Sequence, residues 1–216
     1  MLVSLPLTLP IFLLVALWIK IASPGPIFFR QERVGFTGRR FIMLKFRTMK
    51  VNVETTLHEK HANGFIEADI PMTKLDHLGD PRIIPGGRLL RASGLDELPQ
   101  LFNVFRGEMS LVGPRPCLPF EWERLAAGQR ERYNAVPGLT GYWQVNGKNK
   151  TTFAQMIEMD IWYTKNLSLS VDLGIIFRTL PAIFAEVFKR KEPVAADFQP
   201  NVIVLENPLP EEKISA

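Results

Sequence analysis

Cysteine is nearly absent from the chain: its 216 residues hold one, Cys117. A single thiol excludes an intramolecular disulfide framework and points to a chain facing a reducing compartment, with Cys117 itself a small buried or partly buried residue. Histidine is almost as scarce. His58, His61 and His77 are scattered among acidic residues without zinc-ligand spacing and read as solvated side chains. Charge is missing altogether from Leu2 to Ile19, a run built mostly of Leu, Val, Ile, Phe and Ala. That run reaches the lower length limit of a membrane-spanning helix. No basic segment precedes it and no A-x-A site follows it, so it does not read as a secretory signal. A straight helix is also disfavoured, because Pro6 and Pro10 each remove a backbone donor and crowd the preceding turn. Taken alone, these residues allow a kinked spanning helix or a re-entrant one.

What is present is a hydrophobic content of 46% and a net charge of +4. The length suits one domain with appendages. A mild basic excess is compatible with nucleic acid, an anionic membrane surface or phosphorylated substrates, and the position of the charges decides between them. Arg30, Arg33, Arg39, Arg40, Lys45, Arg47 and Lys50 stand against the lone Glu32 soon after the apolar run. The positive-inside rule makes that side cytoplasmic. Towards the other end, Leu173, Ile176, Phe177, Leu180, Ile183, Phe184, Val187 and Phe188 recur at helical spacing before Lys189-Arg190-Lys191. This is the pattern of an interfacial amphipathic helix, and equally of a helix facing a soluble core.

The intervening part reads as α+β. Two strands are expected over 27–34 and 40–49, joined as a basic hairpin through Gly35-Phe36-Thr37-Gly38. Residues 51–80 read as a polar surface excursion. Helical periodicity marks Leu98 to Phe105, Glu121 to Tyr133 and Phe153 to Tyr163, with Gly- and Pro-rich loops over 107–119 and 136–150 that suit a binding site. From about Glu192 the chain carries Pro, Glu and Asp without periodicity, the composition of a flexible tail.

Asp96 and Glu97 are the candidate chemical centre. Pro99 is tolerated in a first helical turn, which predicts a helix starting near Asp96 and places two carboxylates at its positive end. One could attack an electrophilic phosphorus while the other orients a divalent cation or handles a proton. An isolated Asp-Glu pair, however, favours the plainer reading of an acidic cap with a solvated neighbour. Arg82, Arg88 and Arg91 before the pair and Arg115 within Gly113-Pro114-Arg115-Pro116 supply the further context of phosphate-binding guanidiniums.

These residues together resemble the bacterial sugar transferases, the monotopic phosphoglycosyl transferases that start glycoconjugate assembly on undecaprenyl phosphate. The resemblance rests on Ser23-Pro24-Gly25-Pro26 through Arg33-Val34-Gly35, Lys45-Phe46-Arg47-Thr48-Met49 and Asp80-Pro81-Arg82-Ile83. It continues in Leu95-Asp96-Glu97-Leu98-Pro99-Gln100-Leu101, Met109-Ser110-Leu111-Val112-Gly113-Pro114-Arg115-Pro116, Pro137-Gly138-Leu139-Thr140-Gly141 and Gln144-Val145-Asn146-Gly147. It covers nearly everything up to about residue 190.

The resemblance implies an enzyme of the cytoplasmic face of the inner membrane, with a re-entrant helix over 1–22 broken at Pro10, a catalytic domain over 23–191 and a tail over 192–216. It implies a UDP-sugar donor, undecaprenyl phosphate as acceptor, contact with membrane lipid and Mg²⁺ as cofactor. Asp96 is the implied nucleophile, forming a covalent sugar-phosphate intermediate, and Glu97 its partner near the metal. Lys45, Arg91, Arg115 and Asp160 match further functional positions, with Arg91 and Arg115 assigned to phosphate or nucleotide. Two departures stand out: Leu9 replaces the serine frequent before the break, and the usual basic amphipathic start is missing. A homo-oligomer is compatible with the sequence, nucleic acid is not an expected partner, and the motifs do not encode which sugar is moved. The rival readings are a glycosyltransferase moving the sugar alone and a non-enzymatic membrane-surface protein.

Overall fold

Residues 5–51, 71, 82–147 and 150–188 are described by the computed structural model. The polar excursion lies outside them except for residues 51 and 71, as do the three histidines and the tail from 192. The apolar N-terminal run forms α1, Leu5–Ala22, a helix that continues through Pro10. The expected break at Pro10 is not an interruption of the helix. The only bond this proline removes is one to the carbonyl of Pro6, close to an end with few bonds to lose. Ile11, Phe12, Val15, Ala16 and Ile19 recur at helical spacing and pack against Phe46, Ile84 and Leu90, with Ile27, Phe28, Leu95 and Leu98 around them. Leu13, Leu14, Leu17 and Ile21 lie exposed elsewhere on the helix. Among the described residues, no helix is long and apolar enough to cross a membrane.

Arg47 fastens the end of α1 to the rest of the chain. It is buried, although the sequence groups it with the basic run that marks the cytoplasmic side. Its Nη1 donates to Ser23 Oγ and its Nη2 to the Ser23 carbonyl, both at 2.9 Å, and its Nε donates to the Pro26 carbonyl. A guanidinium at the C-terminal end of a helix also meets the negative end of its dipole.

The hairpin forms as β1, Phe28–Val34, and β2, Arg40–Phe46, antiparallel with Phe29 opposite Lys45 and Arg33 opposite Phe41. β2 stops three residues short of the expected end. The connection is a 3₁₀ turn over Phe36–Gly38 in which Thr37 takes a left-handed φ of 51°.

The chain then builds α2, Gly87–Ser93, a 3₁₀ turn over Leu95–Glu97, and α3, Gln100–Phe105. The helix expected from Asp96 therefore begins four residues later. Gly94, at φ 71°, ends α2 in the left-handed region, and the chain re-enters helical geometry through a tight turn rather than a full α turn. The remaining elements are β3, Ser110–Val112; α4, Pro119–Arg124; a 3₁₀ stretch over Ala127–Asn134; β4, Gly138–Thr140; α5, Tyr142–Asn146; α6, Phe153–Lys165; and α7, Leu169–Phe188. The helix expected over 121–133 is thus two pieces, divided where Leu125 turns extended. β3 and β4 pair in parallel, Ser110 with Gly138 and Val112 with Thr140. Among the described residues the architecture is α+β, two small sheets among mostly short helices with the longer α1 and α7.

Replacing Arg47 with Met leaves the Ser23 and Pro26 carbonyls without their donor and should cost roughly 2–4 kcal/mol of stability. Denaturant melts of both proteins in detergent check this, and an unchanged midpoint would contradict the clamp.

Candidate active site

Leu95 and Leu98 bracket the two carboxylates and are packed into the same apolar cluster as the inner face of α1. Between them, the 3₁₀ turn holds Asp96 at 8% exposure, while the Glu97 side chain stays more than a third exposed. Across from the turn, Lys45 on β2 reaches Glu97, Nζ to Oε1 at 2.8 Å. Lys45 precedes Phe46, another member of that cluster. The dyad and its lysine are therefore each one residue away from apolar anchors in that cluster, partly buried Leu95 and Leu98 on one side and buried Phe46 on the other.

α3 follows the dyad directly and carries Asn103, which is fully buried. Its Oδ1 accepts from the Leu44 amide at 3.1 Å and its Nδ2 donates to the Ile42 carbonyl at 2.8 Å, on the edge of β2 away from β1. The same Nδ2 donates to Glu108 Oε2 at 2.6 Å.

Arg115 occupies a second group. The loop that presents it leaves β3 where three glycines let backbones touch. A Cβ on Gly113 would lie 2.2 Å from the Val136 carbonyl oxygen, one on Gly138 would lie 2.1 Å from the Gly113 nitrogen, and one on Gly141 would lie 2.2 Å from the Gly113 carbonyl oxygen. Side chains larger than hydrogen cannot pass there. Beyond this crossing, the Arg115 amide donates to Asp160 Oδ2 at 3.2 Å, and the Arg115 carbonyl accepts from Arg132 Nη2 and from the Tyr133 hydroxyl, both at 3.2 Å. Arg132 also donates to Asp160, and both side chains are fully buried. Arg115 directs its guanidinium at Glu121, Nη1 to Oε2 at 3.2 Å, and Arg33 on β1 donates from Nη1 to the neighbouring Pro116 carbonyl at 3.1 Å.

The electrostatics follow from burial. Desolvation works against the Glu121 carboxylate, but Arg115 and Arg33 beside it outweigh that cost and hold its pKa below the usual range. Burial lowers Arg33 to about 10, with the nearby Arg115 adding to the effect. Burial raises Asp160, and the attraction of Arg132 offsets this only in part. Burial also raises the Cys117 thiol. Cys117 is fully buried, as expected of it, and its raised pKa does not suit a nucleophile.

Of the residues singled out in the sequence, the structure brings Lys45 to Glu97 beside Asp96, and Asp160 to Arg115. The two groups share the hairpin face that carries Lys45 and Arg33, four residues apart in register, roughly 13 Å. Arg91 lies in the last turn of α2, one turn before the dyad. Asp160, matched to a functional position by resemblance, sits beneath the Arg115 backbone with no exposed surface, as the counter-ion of Arg132. Sequence reasoning passed over Asn103, Arg132, Tyr133, Glu121 and Arg33. One signal was readable: Asp160 falls on the buried stripe of α6 with Phe153, Met156, Ile157 and Tyr163, and a carboxylate there requires a cationic partner.

Because the Glu121 pKa is depressed in the folded protein, its ionisation adds stability above the ordinary carboxylate range, and this is lost as pH falls through the depressed value. The native protein should therefore exceed Glu121→Gln in stability near pH about 7, with the gap closing below about pH 4. Paired melting curves across that range test the sign, and a gap that persists unchanged into acid would contradict it.

The sequence model of the bacterial sugar transferases matches residues 1–186. The chain is 41% identical over 174 residues to the exopolysaccharide production protein ExoY of Sinorhizobium fredii, covering 81% of this chain and 77% of that one. It is 43% identical to a UDP-glucose:undecaprenyl-phosphate glucose-1-phosphate transferase of Caulobacter vibrioides, over 81% of this chain and 62% of the relative. It is 41% identical to an undecaprenyl-phosphate galactose phosphotransferase of Salmonella typhimurium, over 79% of this chain and 36% of that longer protein. With a match over most of its length and the motifs folded into two connected groups, the chain belongs to the bacterial sugar transferase family.

Proposed function

We propose that this transferase moves a sugar-1-phosphate from a UDP-sugar to undecaprenyl phosphate, the first membrane step of exopolysaccharide or glycoconjugate synthesis. The observation that carries the reading is the dyad itself: a nearly buried Asp96 beside a Glu97 held by Lys45, on a turn anchored by Leu95 and Leu98. A carboxylate oxygen of Asp96 attacks the sugar-bearing phosphorus, and the bond to the UMP oxygen breaks. An oxygen of the lipid phosphate then attacks the same phosphorus, releasing Asp96 and leaving a sugar diphosphate on the lipid. Donor and acceptor use one site in turn.

Arg115 suits the donor's charge. It is a partly exposed member of a group in which, among the described residues, the guanidiniums of Arg33, Arg115 and Arg132 face the two carboxylates of Glu121 and Asp160, so an anion there relieves an excess of positive charge. Arg91, in the last turn of α2 before the dyad, is the second phosphate contact. Asp160 acts at one remove, holding the backbone of Arg115. Asp96 and Glu97 are the residues that would hold Mg²⁺. Two carboxylates leave most of an Mg²⁺ coordination shell to substrate phosphates and water. Bound there, it would neutralise charge on the diphosphate.

The membrane side is the apolar surface of α1, α2 and α7. Leu13, Leu14, Leu17 and Ile21 of α1, Leu89 of α2, and Leu173, Phe177, Leu180, Phe184 and Phe188 of α7 are all exposed, Phe177 at 72%. Exposed apolar surface on this scale marks a membrane or partner face. Because the inner face of α1 is bound to the domain from Ile11 to Ile19, the helix fits entry into one leaflet of the inner membrane from the cytoplasmic face better than a free span. The names of the relatives, which include glucose and galactose phosphotransferases acting with undecaprenyl phosphate, support this chemistry.

Incubating detergent-solubilised enzyme with sugar-labelled UDP-sugar and Mg²⁺ but no lipid should place label on the peptide containing Asp96. Asp96→Asn should lose the adduct and at least about 1,000-fold of transfer. UMP is the expected product. Recovery of UDP instead would establish transfer of the sugar alone, and an active Asp96→Asn enzyme would overturn the dyad.

A further inference from the structure

Resting on the reading of Asp96 and Glu97 as the reacting pair, we propose that Asn103 is a positioning residue for it, joining the segment that carries the dyad to the strand that carries Lys45.

A strand edge offers a carbonyl at one residue and an amide two residues on, pointing the same way. Ile42 and Leu44 of β2 present this pair on the edge that β1 does not use. A primary amide carries a donor and an acceptor on one carbon and matches both groups, so the side chain of Asn103 stands where another strand would otherwise pair. Aspartate supplies only acceptors when ionised, and an aliphatic side chain supplies neither.

The position of Asn103 gives the match its mechanical meaning. Asn103 lies seven positions after Asp96, across the end of the turn, Leu98-Pro99 and the first turn of α3, while Leu44 adjoins Lys45 in β2. The backbone of Asn103 is itself held, its carbonyl accepting from the Glu108 amide at 3.0 Å and the Met109 amide at 3.2 Å. Its Nδ2 is shared with Glu108 Oε2. The fork thus sets the distance between α3 and β2, and with it the 2.8 Å contact between Lys45 and Glu97. Apolar packing around Leu95 and Leu98 presses the turn against α1 but carries no direction along the strand, whereas two hydrogen bonds to residues two apart fix the register.

Asn103→Leu and the isosteric Asn103→Asp are measured in the full chain with UDP-sugar and Mg²⁺, reading the single-turnover rate of adduct formation, the donor concentration at half-saturation and the melting temperature. The rate should fall roughly 10- to 100-fold at saturating donor, with half-saturation nearly unchanged, at temperatures where both variants remain folded. The same substitutions are then made in a Lys45→Ala background. A residue that acts through Lys45 and Glu97 costs little more once Lys45 is gone, whereas a merely structural one costs the same factor again. Multiplicative effects in the double variant, or wild-type adduct rates in folded Asn103 variants, would overturn the assignment while an inactive Asp96→Asn enzyme left the dyad standing. Should Asn103→Leu fail to fold, Asn103→Asp alone decides by the same two comparisons.

Discussion

The apolar cluster beneath Asp96 and Glu97 is the constraint on which the rest of this structure depends. Five residues of α1 enter it from one side, Phe46 and Phe28 from the hairpin, Ile84 and Leu90 from the segment around α2, and Leu95 and Leu98 from the turn that carries the carboxylates. Burial of this surface is non-directional, contributing about 25 cal/mol per Å² whichever way the partners face. It brings the dyad, the lysine strand and the N-terminal helix to one place. Direction comes from polar fixtures at its margin: Arg47 holding the Ser23–Pro26 turn, and Asn103 holding the edge of β2.

A second principle governs the Arg115 group, where ion pairs replace apolar contact. Asp160 and Arg132 are both without exposed surface, a costly arrangement unless each satisfies the other. That pairing is used to hold a backbone. Asp160 takes the Arg115 amide, Arg132 and Tyr133 take the Arg115 carbonyl, and the guanidinium of Arg115 is left partly exposed at the end of a rigid loop. Glycines at 113, 138 and 141 make the loop possible by letting the backbones at and just beyond the parallel β3–β4 pair approach closer than any side chain permits.

Much of this was legible in the sequence, and the reasons for the remainder are specific. The hairpin was readable because turn residues separated two apolar-rich runs, and α6 and α7 because their stripes held the helical period over several turns. The start of the helix after the dyad was misplaced by four residues, since Pro99 marks a first turn but does not reveal that Gly94 had already ended a separate helix. The division at Leu125 left no signal in the periodicity. Among site residues, Asp96, Glu97, Lys45, Arg91 and Arg115 stood out by type and motif. Asn103, Arg132 and Glu121 did not, because the first two depend on partners 61 and 28 residues away and Glu121 depends on Arg115 and on Arg33 of β1. Spacing along a chain cannot show which strand edge an amide will reach.

The inner face of α1 has a consequence for how such an enzyme can be handled or can evolve. A membrane anchor joined by a linker can be exchanged or trimmed, leaving its catalytic unit whole. Here Val15 and Ile19 fill the same interior as Phe46 and Leu90, so the helix proposed to enter the bilayer is also part of the fold beneath Asp96 and Glu97. Shortening the chain at that end would not release a soluble catalyst but strip apolar packing from beneath Asp96 and Glu97.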